Sequence, residues 1–124
     1  MRRLRFAIGV VEVASIAAGM RAADAMLKMA AVEMLEAQPT SPGKYVVSVA
    51  GDVASVAAAV DAGVAEAGEQ LLGRTLIAHL HPQVLSAARG THAIRAIDAL
   101  GVVETTTIAA VVRAADAAVK AAVV

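Results

Sequence analysis

Residues 7–32 of this chain return at residues 99–124, at a constant offset of 92. Alanine matches alone would mean little in so alanine-rich a chain. Gly9 and Gly101, Glu12 and Glu104, Arg21 and Arg113, Asp24 and Asp116, and Lys28 and Lys120 coincide as well. Self-similarity at a fixed period marks one folding unit used twice, so the period sets the unit at roughly 90 residues. The 124 residues hold one unit and the first third of another, which predicts a tandem protein of roughly 180–210 residues as two periods.

Arg5 to Val13 is β-branched and reads as a strand, and Ser15 reads as the N-cap of a helix to about Met29. In that helix Ile16, Met20, Ala23 and Leu27 recur at spacings of three and four, which predicts a buried face, with Arg21, Asp24 and Lys28 on the polar side. Val32 to Ala37 predicts a second strand, Gln38 to Gly43 a proline-bearing turn, and Lys44 to Ala50 a third strand paired through it. Asp52 caps a helix to about Gly68, with Val53, Val56, Val60 and Val64 inward and Gly63 marking close approach of another backbone. Thr75 to Leu80 reads as a fourth strand and Pro82 to Ala88 as a short helix.

The order βαββαβ, with right-handed crossovers, predicts a four-stranded antiparallel sheet carrying both long helices on one face, a ferredoxin-like α+β layer. The expected organisation is a first unit over residues 1–88, a polar linker over 89–98, and the truncated start of a second unit over 99–124. In that second unit Ala99 to Glu104 would repeat the strand and Thr107 to Val124 the helix.

Composition excludes several function classes. Apolar residues make up 59% of the chain and aromatics 2%, so small aliphatic side chains must build a dense core that offers few stacking platforms. Eleven basic residues balance eleven acidic ones with no long basic run, which argues against nucleic acid as a partner. The absence of cysteine rules out disulfides, thiolate zinc and cysteine-held iron–sulfur clusters, and makes a reducing cytosol the simplest home. Glu12 interrupts the apolar stretch behind the basic N-terminus, and Arg113, Asp116 and Lys120 stripe the last helix. Neither a signal peptide nor a membrane span is therefore expected.

Several stretches occur together in order: Ile8-Gly-Val-Val-Glu12, Ala22-Ala-Asp-Ala-Met-Leu-Lys28, Pro42-Gly-Lys44, Gly51-Asp-Val53 and Asp61-Ala-Gly63. Together they resemble the bacterial microcompartment shell domain across residues 6–88, with a second partial match from Ala99. Two copies in one chain look like the tandem, trimeric members of that family. The resemblance implies organisation without catalysis: three tandem chains, or six single ones, form a pseudohexagonal tile. Tiles pack edge to edge with other shell proteins around enclosed enzymes, in a shell within the cytoplasm. It places Thr40, Ser41, Pro42 and Gly43 in a turn around a central pore that passes small metabolites, and Lys28 and Lys120 at the tile edge. The family's edge arginine position holds His81. Some tandem members carry a pore-turn cysteine that binds an iron–sulfur cluster. Ser41 stands there in this chain, and a hydroxyl is a poor ligand for soft iron, so no cofactor or metal is expected.

Plainer readings stand beside these. Lys28 can simply pair with Asp24 at i,i+4 on a solvated helix, and the pore turn can be an ordinary hairpin connection whose prolines limit unfolded-state entropy. His79 and His81, two apart on a predicted strand, share a face but lack a third ligand, and His92 falls in the linker. Glu12 and Glu104, being repeat equivalents, point to a shared structural role. No nucleophile–histidine–acid set, phosphate loop or paired carboxylates suggest an enzyme. The alternatives to a shell tile are a ferredoxin-like regulatory module sensing a small molecule, since fold alone does not fix function, and a scaffold without a pore.

Overall fold

The computed structural model describes residues 6–124, so Arg5 and the basic N-terminus before it lie outside the described residues. Strand β1 (Ala7–Val13) leads into helix α1 (Ile16–Met29), then β2 (Glu33–Thr40), β3 (Lys44–Gly51), helix α2 (Val53–Ala67), β4 (Leu71–Ile77), a short helix α3 (Pro82–Ala88) and helix α4 (Ile108–Ala121). The strands form one sheet in the order β2-β3-β1-β4, with every neighbouring pair antiparallel. This is the expected ferredoxin-like α+β arrangement, and the central β1 is buried along its whole length.

The two faces of β1 serve different layers because successive side chains alternate. Ala7, Val11 and Val13 join Tyr45, Val47 and Val49 of β3 under α1 and α2, whose Ala18, Met26, Val56, Ala59 and Val60 complete that core. Ile8 faces the other way, where Ile77, Leu80 and Val84 pack with Val112, Ala115 and Val119 of α4. Burial of such aliphatic side chains stabilises by about 1.5–3 kcal/mol each, so a sheet covered on both faces builds its core twice from one set of strands.

Small residues set the spacing of the first layer. A Cβ on Gly9 would fall 2.4 Å from Val60 Cγ2, and one on Gly19 would fall 2.3 Å from the Tyr45 ring, so α2 and α1 lie directly on the sheet. The cap residues act as expected. Ser15 Oγ accepts from the Ala18 N–H, and the Asp52 carboxylate accepts from the Ser55 N–H at 2.9 Å and its hydroxyl at 2.7 Å. The Ser55 backbone N–H and hydroxyl hold the Asp52 carboxyl below the ordinary aspartate range.

Several expectations are corrected. The buried face of α1 is Ala18, Gly19, Ala22 and Met26, while Ile16, Met20 and Leu27 are exposed. Small side chains win the sheet side because they let the helix approach closely. Val53 is exposed, and Gly63 makes room for the Met26 side chain, not for a backbone. Strand β2 runs on to Thr40, and β4 begins at Leu71 and ends at Ile77. His79 and His81 therefore lie beyond β4 and share no strand face. The segment Ala99–Glu104 is not a strand: β1 is paired on both sides, by β3 and β4, whereas its repeat finds no strand partner among the described residues. Helix α4 forms as expected but covers the opposite face of the first unit's sheet from α1 and α2.

Candidate functional site

The β2–β3 connection is a tight turn in which Thr40 pairs with Lys44. Gly43 has φ +68°, a left-handed value that a glycine adopts without Cβ strain. Ser41, Pro42 and Gly43 are exposed and Thr40 is half-buried. The Thr40 hydroxyl oxygen is buried without a hydrogen-bond partner among the described residues. A cleft of about 290 Å³ opens beside this turn, and Glu12, Thr40, Ser41, Lys44, Thr105 and Thr107 line it. All four turn residues named from the sequence thus stay together, with hydroxyls and one ammonium beside them. Among the described residues, no group of three or more histidine, cysteine, aspartate or glutamate side chains is placed to hold a metal ion.

Glu12 is buried to 1% exposure on the sheet face under α4. Its carboxylate accepts the Ile108 N–H at 2.8 Å, and Thr107, the N-cap, accepts the Ala110 N–H at 3.1 Å. The first N–H groups of a helix lack intrahelical partners and carry its positive end, so the acid is matched to the terminus it meets. Glu104, its repeat equivalent, is exposed. Glu12→Ala is expected to lower stability by about 1–3 kcal/mol, because the Ile108 N–H loses its buried acceptor. Urea unfolding checks this, with Glu12→Gln, which keeps an amide oxygen as acceptor, expected to fall closer to wild type.

At the other end of α4, Asp116 is buried to 7% exposure. Its Oδ1 accepts the His81 N–H at 2.8 Å, its Oδ2 pairs with Lys120, and Lys120 Nζ also donates to the His79 carbonyl at 2.6 Å. Arg113, midway, donates from Nε to Thr75 Oγ1 at 3.0 Å and from Nη2 to the Leu76 carbonyl at 3.2 Å. The structure thus brings His81 and Lys120 together and leaves Lys28 apart, on the exposed side of α1, paired with Asp24 at 2.7 Å. That hydrogen bond and the Asp24 charge hold the Lys28 ammonium above the ordinary lysine value. The His81 ring caps α3, its Nδ1 accepting the Gln83 N–H at 3.2 Å. His92 is exposed in the segment before α4. Asp116 and Arg113 were missed as contact residues by sequence reasoning. The signal available was that both recur, with their lysine, at the repeat offset.

These features define a packing module: an α+β sheet with one face covered by its own helices and the other by the leading helix of a repeated segment. The chain belongs to the BMC domain family, whose profile matches residues 7–80. It is 43% identical over 115 residues to the bacterial microcompartment shell protein PduT of Citrobacter freundii, covering 93% of this chain and 62% of that relative. It is 39% identical over 77 residues to the shell protein PduA of the same organism, covering 62% of this chain and 81% of that one. A solved microcompartment protein from Desulfitobacterium hafniense DCB superposes with a TM-score of 0.81 at 48% identity, covering 94% of this chain and 65% of the other. The chain therefore spans a little under two thirds of the PduT relative and of the solved structure. Among the described residues no helix is long and apolar enough to cross a membrane.

Proposed function

We propose that the protein is a structural tile of a bacterial microcompartment shell, built from two repeat units per chain (1–88 and a second from 99, joined by 89–98) and without catalytic activity. The observation that carries this reading is the docking of α4, the start of the second unit, onto the sheet of the first. A repeated unit that packs on its predecessor is suited to rings, because head-to-tail contacts close when the rotation per unit allows it. The similarity to PduT, a shell protein that the chain matches over 115 residues, 93% of its length, supports the same reading. The tile would be a trimer of tandem chains that assembles with other shell proteins around enclosed enzymes. Thr40, Ser41, Pro42 and Gly43 would surround its axis as an opening for small polar metabolites. Hydroxyls and one backbone N–H suit weak, exchangeable contacts, which passage requires.

Light scattering on the full-length protein tests this, with a discrete trimer that grows into sheets in electron micrographs as the expected result. A dimer or tetramer with a saturable small ligand would instead favour the regulatory reading. Lys28, His81 and Lys120 are assigned to the tile edge. Lys28→Ala is expected to leave the discrete ring intact and to abolish sheets. Sheets of unchanged extent would remove Lys28 from the edge.

A further inference from the structure

Helix α4 rests mainly on β4 and β1, and the β2–β3 side of the same sheet face borders a second cavity. Side chains alternate across a sheet, and the register pairs Glu36 with Ser48, Gln38 with Val46 and Thr40 with Lys44, with Val10 of β1 on the other side of Ser48. Glu36, Gln38, Thr40, Val46 and Ser48 thus share one face and form the floor of this cavity. Leu85 and Ala88 of α3 and Ile108 and Val112 of α4 wall it, around a volume of about 560 Å³. Small-molecule sites commonly measure about 300–1,000 Å³, with apolar walls and a few polar groups that fix orientation.

Two hydroxyls of the floor stand out. Ser48 is buried to 6% exposure and lines the cavity, and no side-chain hydrogen bond joins it to another described residue. Burying a hydroxyl without a partner costs free energy, so a face meant only for packing would carry valine at 48, as the strand does at 46, 47 and 49. The unpartnered Thr40 hydroxyl stands on the same face, where the cavity meets the cleft beside the turn. The charged side chains of the lining are one acid, Glu36, which already accepts from the Gln38 amide, and one base, Arg89. They balance, so the site asks for no net charge.

We propose that this cavity is a binding site for an uncharged amphipathic small molecule. Its aliphatic body lies between α3 and α4, and its hydroxyl or carbonyl head meets the Ser48 and Thr40 hydroxyls, each of which can donate and accept. The site differs in kind from the opening assigned to the β2–β3 turn. That opening presents exposed residues for passing contacts, whereas the cavity offers apolar walls and buried hydroxyls, which suit retention. The proposal goes beyond the tile reading and does not depend on the oligomeric state.

1-Hexanol, hexanoate and hexylammonium share one aliphatic body and differ in the head, so titrating each into the full-length protein, followed by amide and methyl NMR, reads both parts of the site. 1-Hexanol should give saturable shifts at Val46, Leu85 and Val112, with a dissociation constant of about 1 mM or below. The two charged probes should bind at least about tenfold more weakly, because a desolvated charge finds no unpaired counter-charge there. Ser48→Ala should weaken 1-hexanol about three- to tenfold through the lost hydrogen bond, and Ala88→Phe, at an exposed position of the wall, should abolish binding by filling the space. Thr40→Val should weaken 1-hexanol while leaving the urea midpoint at or above the wild-type value, since it removes an unpaired buried hydroxyl; a purely structural hydroxyl would lower the midpoint and leave binding unchanged. The absence of saturable shifts, or shifts that Ser48→Ala and Ala88→Phe leave unaltered, would overturn the site. Tighter binding of hexanoate or hexylammonium than of 1-hexanol would overturn the uncharged ligand.

Discussion

Gly19→Val is expected to destabilise the protein by about 3 kcal/mol or more, at the upper end of overpacking effects. The added Cβ would sit 2.3 Å from Tyr45 Cγ and 2.5 Å from its Cβ, atoms held close to the β3 backbone that no rotamer change can withdraw. Relief requires α1 to lift from the sheet, which opens the core around Met26 as well. The repeat supplies the control. Position 111, equivalent to Gly19, already carries valine, at 37% exposure on the rim of the clefts beside α4, and Val111→Gly should cost only about 1 kcal/mol of helix propensity and partial burial. Urea midpoints of the two variants would settle the matter. Similar losses at both positions would mean that α1 and α4 do not use opposite faces.

The docking of α4 can be locked covalently. A Cβ at Gly73 would lie 3.4 Å from that of Ala109, close to the separation found in disulfides, and the chain has no native cysteine to compete. Gly73→Cys with Ala109→Cys should close oxidatively within one chain and raise stability by about 3–4 kcal/mol, because it constrains a loop of some 36 residues in the unfolded state. A non-reducing gel and melting curves with and without reductant read both effects. Only intermolecular dimers, or a melting point indifferent to reductant, would show that α4 does not rest on β4 of its own chain.

Much of the fold was legible because local signals agreed with one another. Ser15, Asp52 and Pro82 each opened the helix they announced, and Pro42 before Gly43 marked a real turn, whereas Pro39 pairs with Tyr45 inside β2. The face of α1 was not legible, since both of its sides are apolar. Periodicity favoured the larger Ile16, Met20 and Leu27, whereas close packing under Tyr45 selected the smaller Ala18, Gly19 and Ala22. The first half of β4 was hidden for a related reason. The expected strand began only at Thr75, after Gly73 and Arg74, yet Gly73 makes room for α4 and Arg74 forms an ion pair with Asp61 on α2 at 2.8 Å. At the candidate site, the turn residues and the lysines were visible through family resemblance. The burial of Glu12 and Asp116 was not, because it depends on α4 meeting residues that lie 96 and 35 positions away in sequence.

The near absence of aromatic residues leaves Tyr45 as the sole tyrosine, with no tryptophan beside it. Its ring lies buried against Gly19, so its emission is a built-in optical reporter of one event, the seating of α1. It is blind to α4, which rests on the far side of the sheet. Tyrosine fluorescence and far-ultraviolet dichroism followed through the same urea titration would therefore show whether the two helices leave together, as one cooperative unit, or in sequence.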